Sequence, residues 1–197
     1  MNPFKSNLRF KSVNAPKKHH YIVYSEAYTQ NGKVSFGKLD ELITLELIDL
    51  CREAKLIVIY GHAKSGKSII TKTLSKELNN RPYIFSDDYL NKGHKDILYQ
   101  IFDEVLKHEQ VIVEGCEMPR FLKYGIKRQI FADIVIHVEC NFSTIRYSYN
   151  RDGEGHKLNK VINFNKMLDT IFLSWHEEIR NTKYKKPIIV YMNTSIT

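Results

Sequence analysis

The chain has 197 residues, 43% of them hydrophobic, three cysteines and a formal charge of +8. That suits one domain of ordinary size with a small appendage and a real hydrophobic core. No apolar run is long enough to span a bilayer, residues 1–20 hold no signal-peptide core, and Cys51, Cys116 and Cys140 are too scattered for a disulfide framework or a zinc site, so a reducing, cytoplasmic setting is expected.

The basic balance attracts polyanions. It points to a phosphate-rich substrate, and nucleic acid is a further partner it would suit. Residues 1–20 read as an acid-poor, disordered arm. Tyr21-Ile22-Val23-Tyr24 and Lys33-Val34-Ser35-Phe36 flank Asn31-Gly32, a favoured turn pair, so residues 21–36 are expected to form a hairpin. Residues 38–54 follow as a helix with Leu39, Leu42, Ile43, Leu47 and Leu50 on one side. These pieces form an N-terminal extension over residues 1–54, and the catalytic domain is expected over residues 55–197.

Leu56-Ile57-Val58-Ile59-Tyr60 is a short apolar run of buried-strand type. It leads into Gly61-His62-Ala63-Lys64-Ser65-Gly66-Lys67-Ser68, a full match to the phosphate-binding pattern G-x-x-x-x-G-K-[ST]. Ile70, Leu74 and Leu78 then mark one face of a helix. A strand, a glycine-bounded loop and a helix N-terminus make an anion site, because loop N–H groups and the helix dipole both favour negative charge. Residues Gly61 to Ser68 and the following Ile69 are therefore expected to hold ATP. Lys67 would reach the β- and γ-phosphates, and the Ser68 hydroxyl would ligate Mg²⁺.

Tyr83-Ile84-Phe85 is a second strand, expected beside the first, and it runs into Ser86-Asp87-Asp88-Tyr89. Asp87 is placed to be the base that activates an acceptor hydroxyl, and Asp88 to cap the next helix or touch substrate. Residues 95–108 read as a helix. Val111-Ile112-Val113 is a third strand ending in Glu114-Gly115, where Glu114 would hold a magnesium-bound water or the substrate. Residues 119–130 are basic and helical; Arg120, Lys127 and Arg128 are secondary candidates to meet substrate anions. A fourth strand, residues 134–138, ends at Glu139. A helix from Ser143 carries Arg146 and Arg151, which would close over ATP as a lid, and Asp152-Gly153-Glu154-Gly155 breaks it. A long helix over residues 158–180 and a fifth strand, Ile188-Ile189-Val190-Tyr191, complete the chain. Strands alternating with helices predict a parallel sheet covered on both faces, with ligands at the carboxyl ends of its strands. The expected fold is the three-layer α/β/α arrangement of the P-loop NTPases, with five parallel strands and a small N-terminal hairpin-helix extension.

The order Gly61–Ser68, then Phe85-Ser86-Asp87-Asp88-Tyr89, then Val111-Ile112-Val113-Glu114-Gly115, then Ile136-His137-Val138 with Arg146 and Arg151 resembles the P-loop nucleoside/nucleotide kinases, the uridine kinase-like branch most of all. The resemblance spans roughly residues 55–193. It implies a Mg-ATP-dependent phosphotransferase with Lys67, Asp87, Arg146 and Arg151 as catalytic residues and a nucleoside, nucleotide or similar small metabolite as acceptor. The chain departs from that branch in the short span between Asp88 and Val111 and in lacking an R-G-R run in the lid. Ser86-Asp87-Asp88-Tyr89 is also similar to the polynucleotide 5′-kinases, although Leu90 stands where they carry an arginine. A 5′-hydroxyl kinase of nucleic acid is thus the first alternative. A non-catalytic ATP-binding regulatory or assembly module is the second.

Overall fold

The computed structural model describes residues 21–24, 29–30, 33–34, 43–92, 94–184 and 186–194. The N-terminal arm, the Asn31-Gly32 turn and the first residues of the helix expected over 38–54 lie outside them.

Six parallel strands form the main sheet: β1 (Tyr21–Tyr24), β4 (Leu56–Gly61), β5 (Tyr83–Phe85), β6 (Val111–Gly115), β7 (Ile134–Glu139) and β8 (Ile188–Asn193). Their order is β1-β8-β7-β4-β6-β5. The five expected core strands are all present and parallel, and β1 adds a sixth at the edge through its register of Tyr21 against Ile189. Two of the sequence expectations change here. First, Tyr21–Tyr24 does not pair with the Lys33 strand. The hairpin ladder joins β2 (Thr29–Gln30) to β3 (Lys33–Val34), with Gln30 opposite Lys33. A ladder that starts so close to the turn uses the residues just before it, which frees the apolar Tyr21–Tyr24 run to extend the sheet. Second, the strand leading to Asp87 is not beside β4. Strand β6 lies between them, pairing with β4 on one side and β5 on the other.

Strand β4 is buried along its whole length, so its two faces separate two cores. Leu56, Val58 and Tyr60 pack with α3 (His94–Val105), α4 (Met118–Arg128) and α6 (Leu158–Asn181). Ile57 and Ile59 pack with α1 (Leu45–Arg52) and α2 (Lys67–Glu77). This is the three-layer α/β/α fold of the P-loop NTPases. The alternation follows from the strand's two-residue period, and the near-continuous apolar runs from burial on both sides. A third, small cluster sits under α5 (Phe142–Arg151), where Ile145 and Tyr149 meet Ala63, Leu158 and Val161.

Helix α1 is short, and its C-terminal carbonyls need partners. The buried Arg81 supplies them: its guanidinium donates to the carbonyls of Cys51, Arg52 and Ala54 at 2.7 to 3.1 Å, and to Gln110 Oε1 at 2.9 Å. One side chain from the break after α2 thereby fastens α1 to the core. Among the described residues, no helix is long and apolar enough to cross a membrane.

Candidate active site

The phosphate loop leaves β4 at Gly61. A Cβ there would stand 2.6 Å from the Val138 carbonyl oxygen of the neighbouring strand, so only glycine lets the loop pass this close to β7. Ser65 N–H then donates to His62 O at 3.2 Å. Lys64 and Gly66 both take positive φ, 65° and 86°, and Gly66 caps α2 with no side chain of its own. The bare helix start leaves the first turn open to an anion. Thr194, just past β8, braces the loop by donating to Ser65 O at 2.7 Å.

Lys67 opens α2 and is 6% exposed. Its Nζ donates to His62 O at 3.4 Å and lies 3.7 Å from Glu114 Oε1. Burial works to lower its pKa, but Cys116, Glu114 and Asp87 outweigh burial and hold it above the usual lysine value, so the ammonium stays charged. Beside it, Ser68 Oγ donates to Glu114 Oε2 at 3.0 Å. Glu114 is itself buried, and burial raises its pKa against the opposing pull of Lys67 and Ser68. Two oxygen donors meeting next to a phosphate-directed lysine suit Mg²⁺, a hard cation. No group of three His, Cys, Asp or Glu side chains among the described residues could hold a metal alone.

Asp87 reaches this cluster by way of Gly115. A Cβ on Gly115 would fall 1.7 Å from Ser86 Oγ, so the glycine ending β6 lets the short 3-10 helix Ser86–Lys92 sit directly against it. Asp87 is exposed and accepts from Ser86 Oγ at 3.4 Å. It lines a cavity of about 420 Å³ together with the loop, Cys116, and Ser148, Tyr149 and Arg151 of α5. Asp88 is exposed on the same 3-10 helix and is not part of the lining.

The segment after α5 closes over the loop. Lys64 Nζ pairs with Asp152 Oδ2 at 2.8 Å and Glu154 Oε2 at 3.2 Å. Arg151 Nε donates to Asp152 Oδ1 at 2.9 Å. The hydrogen bonds from Arg151 and then Lys64 hold the Asp152 carboxyl down to about 2.

The structure thus brings Gly61 to Ile69, Asp87, Glu114 and Arg151 to one end of the sheet. Arg146 is exposed on α5, outside the cavity lining. Arg120 pairs with Glu117 at 2.7 Å and lines a separate groove with Arg128. Glu139 lines a third cavity with His62, His137 and Asp169.

Several residues at the site carried no sequence signal. Cys116 follows Glu114-Gly115 and lines the cavity beside Lys67. Asp169 of α6 accepts from Tyr60 OH at 2.5 Å and lies 3.0 Å from His62 Nε2, tying the loop to α6. His137 stacks on Tyr60 at 4.7 Å, and burial lowers its pKa to about 4, so it stays neutral.

The fold and the loop together define a P-loop set on a parallel α/β/α sheet. No family model matches the chain, and no curated protein does. Among solved structures it is similar to shikimate kinase from Acinetobacter baumannii in complex with shikimate, at 15% identity and a TM-score of 0.48 over 65% of this chain and 83% of that one. It is similar to shikimate kinase from Bacteroides thetaiotaomicron, at 14% and 0.44 over 61% and 82% of the two chains. It is also similar to deoxyadenosine kinase from M. mycoides with bound dATP, at 17% and 0.37 over 68% and 89%. At these identities the likeness concerns the fold alone.

Proposed function

We propose that this protein is a small Mg-ATP-dependent kinase that phosphorylates a nucleoside, nucleotide or similar small metabolite. The observation that carries the reading is the meeting of Lys67, Ser68 and Asp87 in the lining of one cavity at the carboxyl end of the sheet, with Glu114 held against Lys67 and Ser68. These are the parts phosphoryl transfer needs, and no more: a phosphate cradle, a metal seat, a base and positive charge.

The loop N–H groups and the α2 N-terminus receive the β- and γ-phosphates. Lys67, kept charged by its acidic neighbours, balances the negative charge that moves onto the leaving oxygen. Ser68 and Glu114 would hold Mg²⁺, which when bound would supply charge neutralisation to the phosphate oxygens. Asp87 accepts the proton of the acceptor hydroxyl as its oxygen forms the new bond to phosphorus, and the bond from phosphorus to the β-γ bridging oxygen breaks to release ADP. Arg151, at the cavity wall, faces the transferring group once Asp152 lets go of it. Arg146 lies on the same lid helix, exposed and outside the cavity lining, and would reach the transferring group only on lid closure. Asp88 follows Asp87 on the same exposed 3-10 helix, whereas Arg120 pairs with Glu117 and lines the separate groove, away from this cavity.

The branch closest to uridine kinases is the finer reading and rests on motif order. Residues 1–54 are an appendage to the 55–197 kinase domain, although β1 and α1 pack on its sheet. Three free cysteines, Cys51, Cys116 and Cys140, support a cytoplasmic setting.

The test is transfer of label from γ-labelled ATP with Mg²⁺ to a panel of nucleosides, nucleotides, small hydroxy acids and 5′-hydroxyl oligonucleotides, with Lys67→Ala as control. Label on one small acceptor establishes the reading and names the substrate. Label on oligonucleotides alone would move the acceptor to nucleic acid. ATP binding with no transfer to any member would favour a regulatory module.

A further inference from the structure

A second site lies on the opposite side of α4 from its buried face. Met118, Phe121, Leu122 and Gly125 of α4 are buried. Arg120, Lys123, Tyr124, Lys127 and Arg128 fall at spacings of three and four, and so form one stripe on the helix. Part of this stripe walls a groove of about 640 Å³, with Tyr99 and Phe102 of α3 on one flank and Met167 of α6 on the other.

The groove is built from rings and cations. Tyr99 is 53% exposed and Tyr124 48%, and both line the groove. The Arg128 guanidinium lies 4.5 Å from the Tyr99 ring centre and 5.1 Å from that of Phe102. Lys127 Nζ lies 5.9 Å from the Tyr124 centre. Arg120 turns one guanidinium nitrogen to Glu117 and the other to Met167 Sδ at 3.6 Å. Every side chain lining the groove is apolar, aromatic or an arginine. Such a surface accepts a flat ring by stacking and an anion by charge.

We propose that this groove is a platform for single-stranded nucleic acid, with bases stacking on Tyr99 and Tyr124 and phosphates running along Arg120, Lys127 and Arg128. Charge complementarity selects this occupant. The cations extend beyond the groove along α4, and the chain as a whole carries +8. Two separate exposed rings suit successive bases better than one enclosed nucleotide. Interleaved aromatics and cations along an open track are the means by which strands are held without sequence preference. The platform does not depend on phosphoryl transfer at the loop, and its failure leaves that reading intact.

The experiment is fluorescence anisotropy of a labelled oligothymidylate of about 15 nucleotides, a length that exceeds one platform. It is titrated with the full chain from about 50 to 200 mM salt. Thymidine monophosphate and inorganic polyphosphate serve as competitors, and ATP affinity and the thermal midpoint are measured in parallel. The expected result is saturable binding with a log–log salt slope near about −2, from roughly 0.7 per engaged phosphate. Tyr99→Ala and Tyr124→Ala should each weaken the oligonucleotide roughly 5- to 100-fold. Arg128→Ala should weaken it and flatten the slope. In all three variants ATP affinity and the thermal midpoint should hold. Absence of binding at the lowest salt would overturn the proposal. So would polyphosphate competing as well as the oligonucleotide with the tyrosine variants unchanged, since base stacking would then play no part. Equal competition by the mononucleotide would also overturn it, because the groove would then be a single-nucleotide pocket.

Discussion

Lys64 of the phosphate loop and Asp152 of the lid are joined at 2.8 Å, and the same aspartate receives Arg151 at 2.9 Å. One carboxylate thus holds two cations that would otherwise face an incoming nucleotide. These groups are partly exposed, so the pair is screened by salt and modest in strength. Asp152→Asn should speed both association and release of a fluorescent ATP analogue several-fold, and the acceleration should shrink as salt rises, read by stopped flow. Unchanged rates at low salt would show that the contact does not restrain the lid.

Asp87 lies at the cavity wall, close enough to Lys67 and Glu114 to influence both. Asp87→Asn keeps the shape and removes the proton acceptor. Turnover should fall by roughly 10²- to 10⁴-fold. ATP affinity should stay within a few-fold, measured by calorimetry beside the label-transfer assay. Full turnover in the variant would remove Asp87 as the base.

Glu114 is raised above the ordinary glutamate range, chiefly by burial. Its ionised form, the one that can hold Mg²⁺, is therefore lost at a higher pH than for an exposed glutamate. The Mg²⁺ concentration for half-maximal activity should climb as pH falls toward that raised value. Glu114→Gln should increase the requirement roughly 10- to 100-fold at neutral pH and flatten this dependence. A Mg²⁺ requirement independent of pH in the parent protein would argue against a metal seat at Glu114.

Asp169 is half-buried; burial pushes its pKa up, but hydrogen bonds from His62 and Tyr60 win and leave it below the usual aspartate value. A depressed folded-state pKa means the contribution is complete above the ordinary aspartate value and disappears as pH falls through the lowered one. Tyr60 is fully buried. Tyr60→Phe should cost about 1 to 2 kcal/mol at neutral pH, as a donor to a carboxylate is lost. Asp169→Asn should weaken the dependence of stability on pH below about 4. Urea unfolding across that range reads both.

Gly61 has the Val138 carbonyl where a Cβ would go, at 2.6 Å. The clash is with backbone, which cannot swing aside. Gly61→Ala should lower stability by about 1 to 3 kcal/mol and weaken ATP binding, read by thermal melting and titration. A variant with parent-like melting would mean the loop can shift from β7 at little cost.

Much of the site was legible because its signals are local. Gly61–Ser68 needs only a strand, a tight loop and a helix start in immediate succession, and the sequence states all three. Helix α6 ran over nearly the residues its apolar spacing predicts, Leu158–Asn181. The alternation of strand and helix was enough to require a parallel sheet between two helical layers. What the tertiary structure alone decided is which strands are neighbours. Buried strands carry interchangeable apolar runs with the same two-residue period, so nothing in Tyr83-Ile84-Phe85 says that β6 will lie between it and β4. Nothing in Tyr21-Ile22-Val23-Tyr24 says that it will extend the sheet beside β8. The contacts that complete the site, Asp169 with Tyr60 and His62 or Thr194 with Ser65, join residues more than a hundred positions apart. They exist because α6 packs on β4 and β8 pairs with β7, β4's neighbour, which sets those side chains within hydrogen-bond reach, a condition no local pattern encodes.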